Sequence, residues 1–325
     1  MTEPLLQVDG LRAYFFSKAG VAKAVDEVSF TIDRGEVLGL VGESGSGKSL
    51  TGYSIMGLVD PPGRIVGGRI ALAGVDLAAL SAEEMRQLRG NRMAMVFQDP
   101  MLALDPLLRI DTQMVETIQA HVEVPRAAAL ARARKALVDV GIPSPEGRLK
   151  AYPHQFSAGM RQRVAIAIAG LNRPHLIIAD EPTTSLDVTV QGQIVFEMQR
   201  LARETGAALI WITHDLSVIA PLADRVCVMY AGRIVEQGAA ADVLSAPRHP
   251  YTRGLLDSVP GAAPPREKLR QISGVTPPPN ELPPGCAFRP RCLYATAVCA
   301  QTPEMRPYGA IGQSIRCFHP LPGPE

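Results

Sequence analysis

Long apolar runs are missing from this 325-residue chain. The longest, Val164–Leu171 and Ala208–Ile212, fall far short of the roughly 20 residues a membrane-spanning helix needs. The N-terminal stretch MTEPLLQVDG carries Glu3 and Asp9 and has neither the basic start nor the apolar core of a secretory signal. An excess of either charge is also lacking. The 33 basic against 32 acidic residues leave a net charge of +1, which removes the electrostatic case for nucleic acid or acidic lipid as a main partner. There is no internal repeat. Cysteine is scarce until the end: Cys227 stands alone, and the other four of the five lie in the last 40 residues. A soluble, intracellular protein is expected, and in a reducing compartment clustered cysteines suggest metal before disulfide. What is present, 46% hydrophobic and 20% charged residues, suffices for a real core, and the length suggests one large domain with a smaller one.

Two strand-like stretches near the start, LLQVDGLRAYFF and AVDEVSFTID, predict a small antiparallel element. Gly35–Gly42 reads as a buried strand closed by a glycine-rich turn, and Ser49–Leu58 as a helix. From about Asp99 to Gly170 apolar residues recur at three- and four-residue spacing, which predicts helices. His175–Pro182 and Ala207–Asp215 are further short apolar runs, so a mostly parallel sheet covered by helices is expected. Asp224–Gly238 reads as two strands joined by a turn at Ala231-Gly232. From Pro260 onward periodicity ends, and half of the 28 prolines fall in the last 66 residues. Such a segment has little to bury and needs a cross-link to hold its shape.

GESGSGKS, Gly42–Ser49, fits G-x-x-x-x-G-K-[ST] between a strand and a helix. Its glycines let successive backbone N–H groups curl around phosphate oxygens, and the helix N-terminus adds a favourable dipole. The candidate nucleotide-binding residues are therefore Gly42, Glu43, Ser44, Gly45, Ser46, Gly47, Lys48, Ser49 and Leu50. Lys48 is expected to reach the β- and γ-phosphates and Ser49 to ligate Mg2+. Asp180, ending the apolar strand of LIIADE, is a second magnesium candidate, and Glu181 beyond it is the candidate for polarising a water. These features predict an NTPase.

With these motifs in place, the chain resembles the ATP-binding subunit of ABC transporters along residues 1–259. Gln98 in MVFQDP matches the family's Q-loop, FSAGMRQR the signature, Ser185-Leu186-Asp187 the D-loop, and His214 in WITHD the switch histidine. The resemblance implies an α/β fold, a P-loop NTPase (RecA-like) core with antiparallel β and α-helical subdomains (about 99–170), followed by a Pro/Cys-rich extension over 260–325. It also implies that Gln98, Glu181 and His214 are catalytic, with Gln98 also contacting Mg2+. Two cassettes then clamp two ATP molecules head to tail, so Ser157 and Gly159 of the signature complete the partner's site, and Asp187 of the D-loop is a further nucleotide-binding candidate. An aromatic near the start stacks on adenine in this family; Phe15 is the candidate, and plain strand packing of Tyr14-Phe15-Phe16 is the alternative. The signature departs from the family pattern at Ala158, where glycine is usual; a methyl there either crowds the ligand or is tolerated.

HPYTRGLL, TTSLDVTVQ and the long tail are similar to the oligopeptide/dipeptide permease branch, and GMRQR to its D-type subunit. This implies a role in powering peptide import at the cytoplasmic face of the inner membrane. The implied partners are a homologous F-type ATPase, two transmembrane permease subunits and an extracytoplasmic substrate-binding protein. Nickel chelates, glutathione and oligosaccharides are alternative cargo. A soluble ABC ATPase is the rival class, but only 115 positions separate Gly42 from Ser157 and they show no sustained heptads.

Cys286, Cys292, Cys299 and Cys317 lack the tight pairs of zinc ribbons and the regular ferredoxin spacing. Four thiolates still match Zn2+ or a 4Fe-4S cluster, and reduced unligated thiols or a disulfide are the alternatives. Arg289, Arg291 and Arg316 are expected to offset thiolate charge, and His319 is a substitute ligand or a surface residue. The resemblance implies the 4Fe-4S cluster. Cys227, in RVCVMY, reads as a small buried apolar residue.

Overall fold

The computed structural model describes residues 3–18, 20–184, 186–259, 271–309 and 312–322. The chain forms two compact units, one from Met1–Asp33, Val37–Ala78 and Trp211–Glu325, the other from Arg34–Glu36 and Ala79–Ile210. In chain order the first strands are β1 (Leu6–Ser17), β2 (Gly20–Ile32) and β3 (Val37–Val41), then helix α1 (Lys48–Met56) and strands β4 (Gly63–Leu72) and β5 (Val75–Asp76). Next come α2 (Ala82–Leu88), β6 (Met93–Val96), α3 (Ile110–Gln119), α4 (Arg126–Asp139), α5 (Pro145–Leu149), α6 (Ala158–Gly170), β7 (Leu176–Asp180) and α7 (Val188–Thr205). The chain continues with β8 (Ala208–Thr213), α8 (Leu216–Ile219), β9 (Arg225–Tyr230), β10 (Arg233–Ala239), α9 (Ala240–Ser245), α10 (Pro250–Asp257), β11 (Arg306–Pro307) and β12 (Ser314–Ile315). Among the described residues no helix is long and apolar enough to cross a membrane.

In the first unit, β1 and β2 pair antiparallel from Leu6↔Ile32 to Ser17↔Gly20, as their alternation predicts. β4 lies along the other edge of β1 and carries β5, giving the order β2-β1-β4-β5. The sequence hid β4 because GRIVGGRIAL breaks alternation with three glycines; the free edge of β1 recruits it. β3, with four of its five residues buried, pairs parallel with β9 from Leu38↔Arg225 to Val41↔Val228. β9 turns directly into β10, and both turn residues have positive φ (Ala231 48°, Gly232 82°), the sign pattern of a type I′ hairpin. The proline-rich tail is not structureless: β12 pairs antiparallel with β10 at Glu236↔Ile315 and with β11 at Arg306↔Ile315.

In the second unit, β6 and β7 pair parallel from Met93↔Leu176 to Val96↔Ala179, every residue buried. Between them the chain is helical, but only from Ile110 onward. Pro100 and Pro106 lack the N–H a helix needs, so Asp99 caps no more than a 3-10 turn at Pro100–Leu102. α6 packs its buried Val164, Ala165, Ile166 and Ala167 as core, and Leu201 of α7 closes against Gly170.

A buried carboxylate organises the start of α10. Glu236 of β10 is 4% exposed, and its two oxygens accept the backbone N–H groups of Arg248 (2.7 Å) and His249 (3.0 Å). Burial pushes its carboxyl above the usual range, against the hydrogen bonds from the two amides. The His249 ring is buried beside Phe288, and its Nδ1 accepts from the Tyr251 N–H at 3.0 Å, capping α10. Burial lowers its pKa from 6.5 to about 3, with a backbone hydrogen bond at Arg316 opposing. Between these values the unfolded chain binds more protons than the folded one. Stability is therefore complete above pH 6.5 and drains away as the pH falls toward 3, by up to ~1.4 kcal/mol per pH unit from this group. Thermal melts at pH 7, 6 and 5 are expected to show a steeper loss in the native chain than in His249→Asn, which keeps a capping acceptor; equal slopes would refute this account.

Candidate nucleotide site

The phosphate loop is held by close backbone packing. Gly42 (φ 152°) leaves no room for a side chain, since a Cβ would lie 2.2 Å from the Met229 carbonyl oxygen. At Gly47 (φ 99°) it would lie 2.3 Å from the Ala24 oxygen. Gly232 N–H donates to the Ser46 carbonyl at 2.9 Å. Lys48, 4% exposed, donates through Nζ to the carbonyls of Gly42 (2.8 Å) and Glu43 (2.9 Å) and reaches Ser46 Oγ at 3.5 Å. Ser44 and Gly45 are exposed at the loop tip, and Ser49 and Leu50 are half-buried in the first turn of α1.

Glu43 departs from the expected pattern. Its N–H does not open onto the loop but donates to the Tyr251 hydroxyl at 2.8 Å. Its carboxylate receives Arg291 in fork geometry, Nη1 to Oε2 at 2.6 Å and Nη2 to Oε1 at 2.9 Å, and the Thr276 hydroxyl at 2.6 Å. Burial pushes this carboxyl up, but the bonds from Arg291 and Thr276 and the charges of Arg291 and Lys48 outweigh it and hold it below the usual range. No local pattern around Glu43 signals these partners.

Of the three aromatics in β1, Tyr14 donates to Asp26 Oδ1 at 2.6 Å, and burial first, then this bond, raises its pKa to about 12. Phe16 lies under the Arg64 guanidinium, 4.1 Å from its centroid. Phe15 rests on Gly63, where a Cβ would meet its ring at 2.7 Å, and stays half-buried with no polar tie. His214 follows β8 directly and is exposed.

In the second unit, Asp180 is 1% exposed at the end of β7, and the chain turns sharply at Glu181, whose φ is 44°. A left-handed glutamate is costly backbone, of order 1–2 kcal/mol. The turn swings its carboxylate out of strand alternation, where Thr184 Oγ1 donates to Oε2 at 2.9 Å and Gln98 Nε2 approaches the same oxygen at 3.4 Å. Two residues singled out separately in the sequence thus meet. The Gln98 segment is held by buried Gln162, which donates to the Phe97 carbonyl at 3.4 Å.

Ser157 caps α6, its Oγ accepting from Met160 N–H at 3.3 Å, and Asp187 caps α7 by accepting from Val190 N–H at 3.0 Å. Both caps, with Ala158 and Gly159, line one cavity of about 260 Å³. Ser185 lies outside the described residues. Ala158 is an exposed residue in the first turn of α6 and does not have a positive φ, so no glycine-only backbone angle is imposed on it.

Cys227 is fully buried in β9, as expected. Cys286, Cys292, Cys299 and Cys317 are free thiols, and Cys286 N–H donates to the Cys299 carbonyl at 3.0 Å. Burial raises the thiols of Cys286 and Cys292 and takes Cys317 to about 11, and the other three cysteines add to the rise at Cys317. They share a neighbourhood, yet among the described residues no group of three or more His, Cys, Asp or Glu side chains is arranged to hold a metal ion. The expected zinc or 4Fe-4S site thus finds no support in the arrangement of these side chains. Cys317 Sγ accepts from His319 N–H at 3.3 Å. Two of the three arginines are engaged elsewhere: Arg291 on Glu43, and Arg316 on the carbonyls of Ile234 and Pro303.

A glycine loop wrapped before a helix, a buried aspartate at the end of a parallel strand, a glutamate turned toward a glutamine, and two capped helices lining one cavity define an ABC-type ATPase. Residues 25–184 match the family model for "ABC transporter", and residues 235–299 match "Oligopeptide/dipeptide transporter, C-terminal region". The chain is 45% identical over 318 residues to the dipeptide transport ATP-binding protein DppD of Escherichia coli, covering 98% of this chain and 97% of that one. It is also 45% identical to the oligopeptide transport ATP-binding protein OppD of Salmonella typhimurium (98% and 94% covered) and to AppD of Bacillus subtilis (97% and 96%). Among solved structures, the ATP-binding cassette MJ0796 in a post-hydrolysis dimer with ADP and Pi superposes with a TM-score of 0.66 at 25% identity, covering 72% of this chain and 98% of that one. The chain belongs to the ABC transporter ATP-binding proteins, in the oligopeptide/dipeptide branch.

Restoring the usual glycine at position 158 is expected to leave the ATPase rate of the assembled complex within about twofold and to lower stability by up to ~1 kcal/mol, the helix-propensity cost. A severalfold faster Ala158→Gly complex, measured by phosphate release, would mean that the methyl obstructs the nucleotide.

Proposed function

We propose that this chain is the ATP-hydrolysing subunit that powers import of di- and oligopeptides by an ABC transporter, working at the cytoplasmic face of the inner membrane. The near-full-length similarity to dipeptide and oligopeptide transport ATP-binding proteins, and the match of 235–299 to the C-terminal region of that transporter family, support the cargo class. By the same similarity its partners are two transmembrane permease subunits and an extracytoplasmic substrate-binding protein; we further propose a homologous F-type ATPase as the subunit with which it pairs. The cassette spans 1–259, with a helical subdomain over about 99–170, and 260–325 is its extension.

The observation that carries the hydrolytic reading is Glu181, turned out of its strand and approached by Gln98 and Thr184. In this reading Glu181 takes the proton of the attacking water while Gln98 orients that water, and His214 faces the γ-phosphate. Phe15 stacks on adenine. The loop Gly42–Leu50 binds the phosphates, through backbone N–H groups and Lys48 rather than through the Glu43 N–H, which is held by Tyr251. Ser157 and Gly159, with Asp187, serve the nucleotide of the paired subunit. Mg2+ would be held by the Ser49 hydroxyl, the Asp180 carboxylate and the Gln98 amide oxygen, hard oxygen donors of the kind it takes, and would supply charge neutralisation on the β- and γ-phosphates.

Glu181→Gln is expected to bind ATP as the native chain does and to hydrolyse it at least ~10²-fold more slowly. Equilibrium binding and single-turnover hydrolysis on the assembled complex test this, and near-normal turnover would remove Glu181 from the role.

For the tail we propose a 4Fe-4S cluster on Cys286, Cys292, Cys299 and Cys317 rather than Zn2+. The shared neighbourhood of the thiols and the backbone N–H donated to Cys317 Sγ support it; no step of ATP hydrolysis is routed through it. Anaerobically purified protein is expected to contain iron and acid-labile sulfide that a four-Cys→Ser variant lacks. Zinc without sulfide, or no metal, overturns the cluster.

A further inference from the structure

We infer that Arg291, in the cysteine-bearing tail, is a positioning residue for ATP, holding the phosphate loop in shape and cancelling the charge of Glu43 before the triphosphate arrives. The inference rests on the reading of Gly42–Ser49 as the nucleotide site.

Glu43 is the second residue of a loop whose ligand carries several negative charges. A bare carboxylate there repels that ligand, and at physiological salt the repulsion reaches about 8 Å. The chain meets this with a built receptor 248 positions away. Arg291 exposes only 5% of its side chain and makes the bidentate pair to Glu43 already described. Its Nε donates to the Ser273 carbonyl at 2.9 Å and its Nη1 to Thr276 Oγ1 at 3.1 Å, so the fork is aimed before it meets the carboxylate. The guanidinium lies 5.8 Å from the Tyr230 ring centre and 5.9 Å from that of Phe288. Those rings pack edge-on with Tyr251, whose hydroxyl receives the Glu43 N–H.

Arg291 therefore holds the Glu43 side chain while Tyr251 holds its backbone, and the Glu43 carbonyl in turn takes the Lys48 ammonium at 2.9 Å. Position and charge act together: the loop keeps its curl and Glu43 is neutralised where phosphate oxygens gather. Arginine suits this because its fork matches a carboxylate and stays protonated at any working pH. A pair that serves fold stability alone would shift the melting temperature and leave the ATP affinity of the folded protein, and its salt dependence, unchanged; a positioning pair moves both, and this separates the two roles.

The test is ATP affinity, with magnesium, in the full-length protein carrying Arg291→Met in two backgrounds. With Glu43 present, the methionine variant is expected to weaken ATP binding roughly tenfold, more at 50 mM than at 300 mM salt. In the Glu43→Gln background the same change is expected to cost less than about twofold. Arg291→Lys, which keeps the charge and guards against a methionine variant that fails to fold, is expected to bind within about threefold of the native chain. An equal loss in both backgrounds, no loss in either, or a lysine variant as weak as the methionine one overturns the inference. Lys48→Ala separates it from the reading beneath it. If the native chain binds ATP and Lys48→Ala does not, a missing background dependence sinks Arg291 alone. A native chain that binds no ATP sinks both.

Discussion

Backbone pressed against backbone is the constraint on which the phosphate loop depends. Gly42 and Gly47 lie so close to the carbonyls of Met229 and Ala24 that no side chain fits at either position. The loop is thereby moulded on two segments remote in sequence, the end of β9 and the middle of β2. The tight turn at Ala231-Gly232 adds its own donors and acceptors: Gly232 N–H goes to the Ser46 carbonyl, and the Gly232 carbonyl accepts from Asp26 N–H at 2.8 Å. Asp26 is itself clamped by Arg233 at 2.7 Å. A loop meant to offer N–H groups to an anion must have its other polar groups satisfied by the protein, and this hairpin does that.

The same hairpin carries the order outward. β10 presents Glu236, a carboxylate whose burial is offset by two backbone donors at the start of α10. α10 brings Tyr251 back to the Glu43 N–H, and β12 adds the tail to the free side of β10. The proline-rich tail is thus held by a strand pairing and by the Arg291–Glu43 pair as well as by anything its cysteines do. It also reaches the loop that binds ATP. Strand pairing and a buried ion pair are part of what shapes a segment with so little periodicity.

In the second unit one residue has unusual backbone, Glu181 with a φ of 44°. A glutamate in left-handed backbone survives only where its surroundings over-determine it. The fully buried strand β7 before it, and Thr184 after it, do so here. The result is a carboxylate that leaves the alternation of its strand and meets Gln98, whose own segment hangs from buried Gln162.

Much of this was legible in the sequence. The first hairpin, the buried parallel strands, the turn at Ala231-Gly232 and the phosphate loop are each written in a local pattern: alternation, a short apolar run, or glycines at set spacing. The sequence also brought forward Asp180, Glu181, Gln98 and the signature residues as candidates, because the proposed chemistry needs particular side chains at strand ends and helix starts. β4 was not legible, since its glycines erase alternation and only the open edge of β1 calls it into the sheet. The tail was read too simply: its arginines suggested partners for thiolates, whereas Arg291 found Glu43. By itself the sequence determined the kind of machine, because phosphate binding is encoded in contiguous residues. Only the tertiary structure decided that the loop is braced by the tail, because contacts between residues hundreds of positions apart leave no trace in any local window.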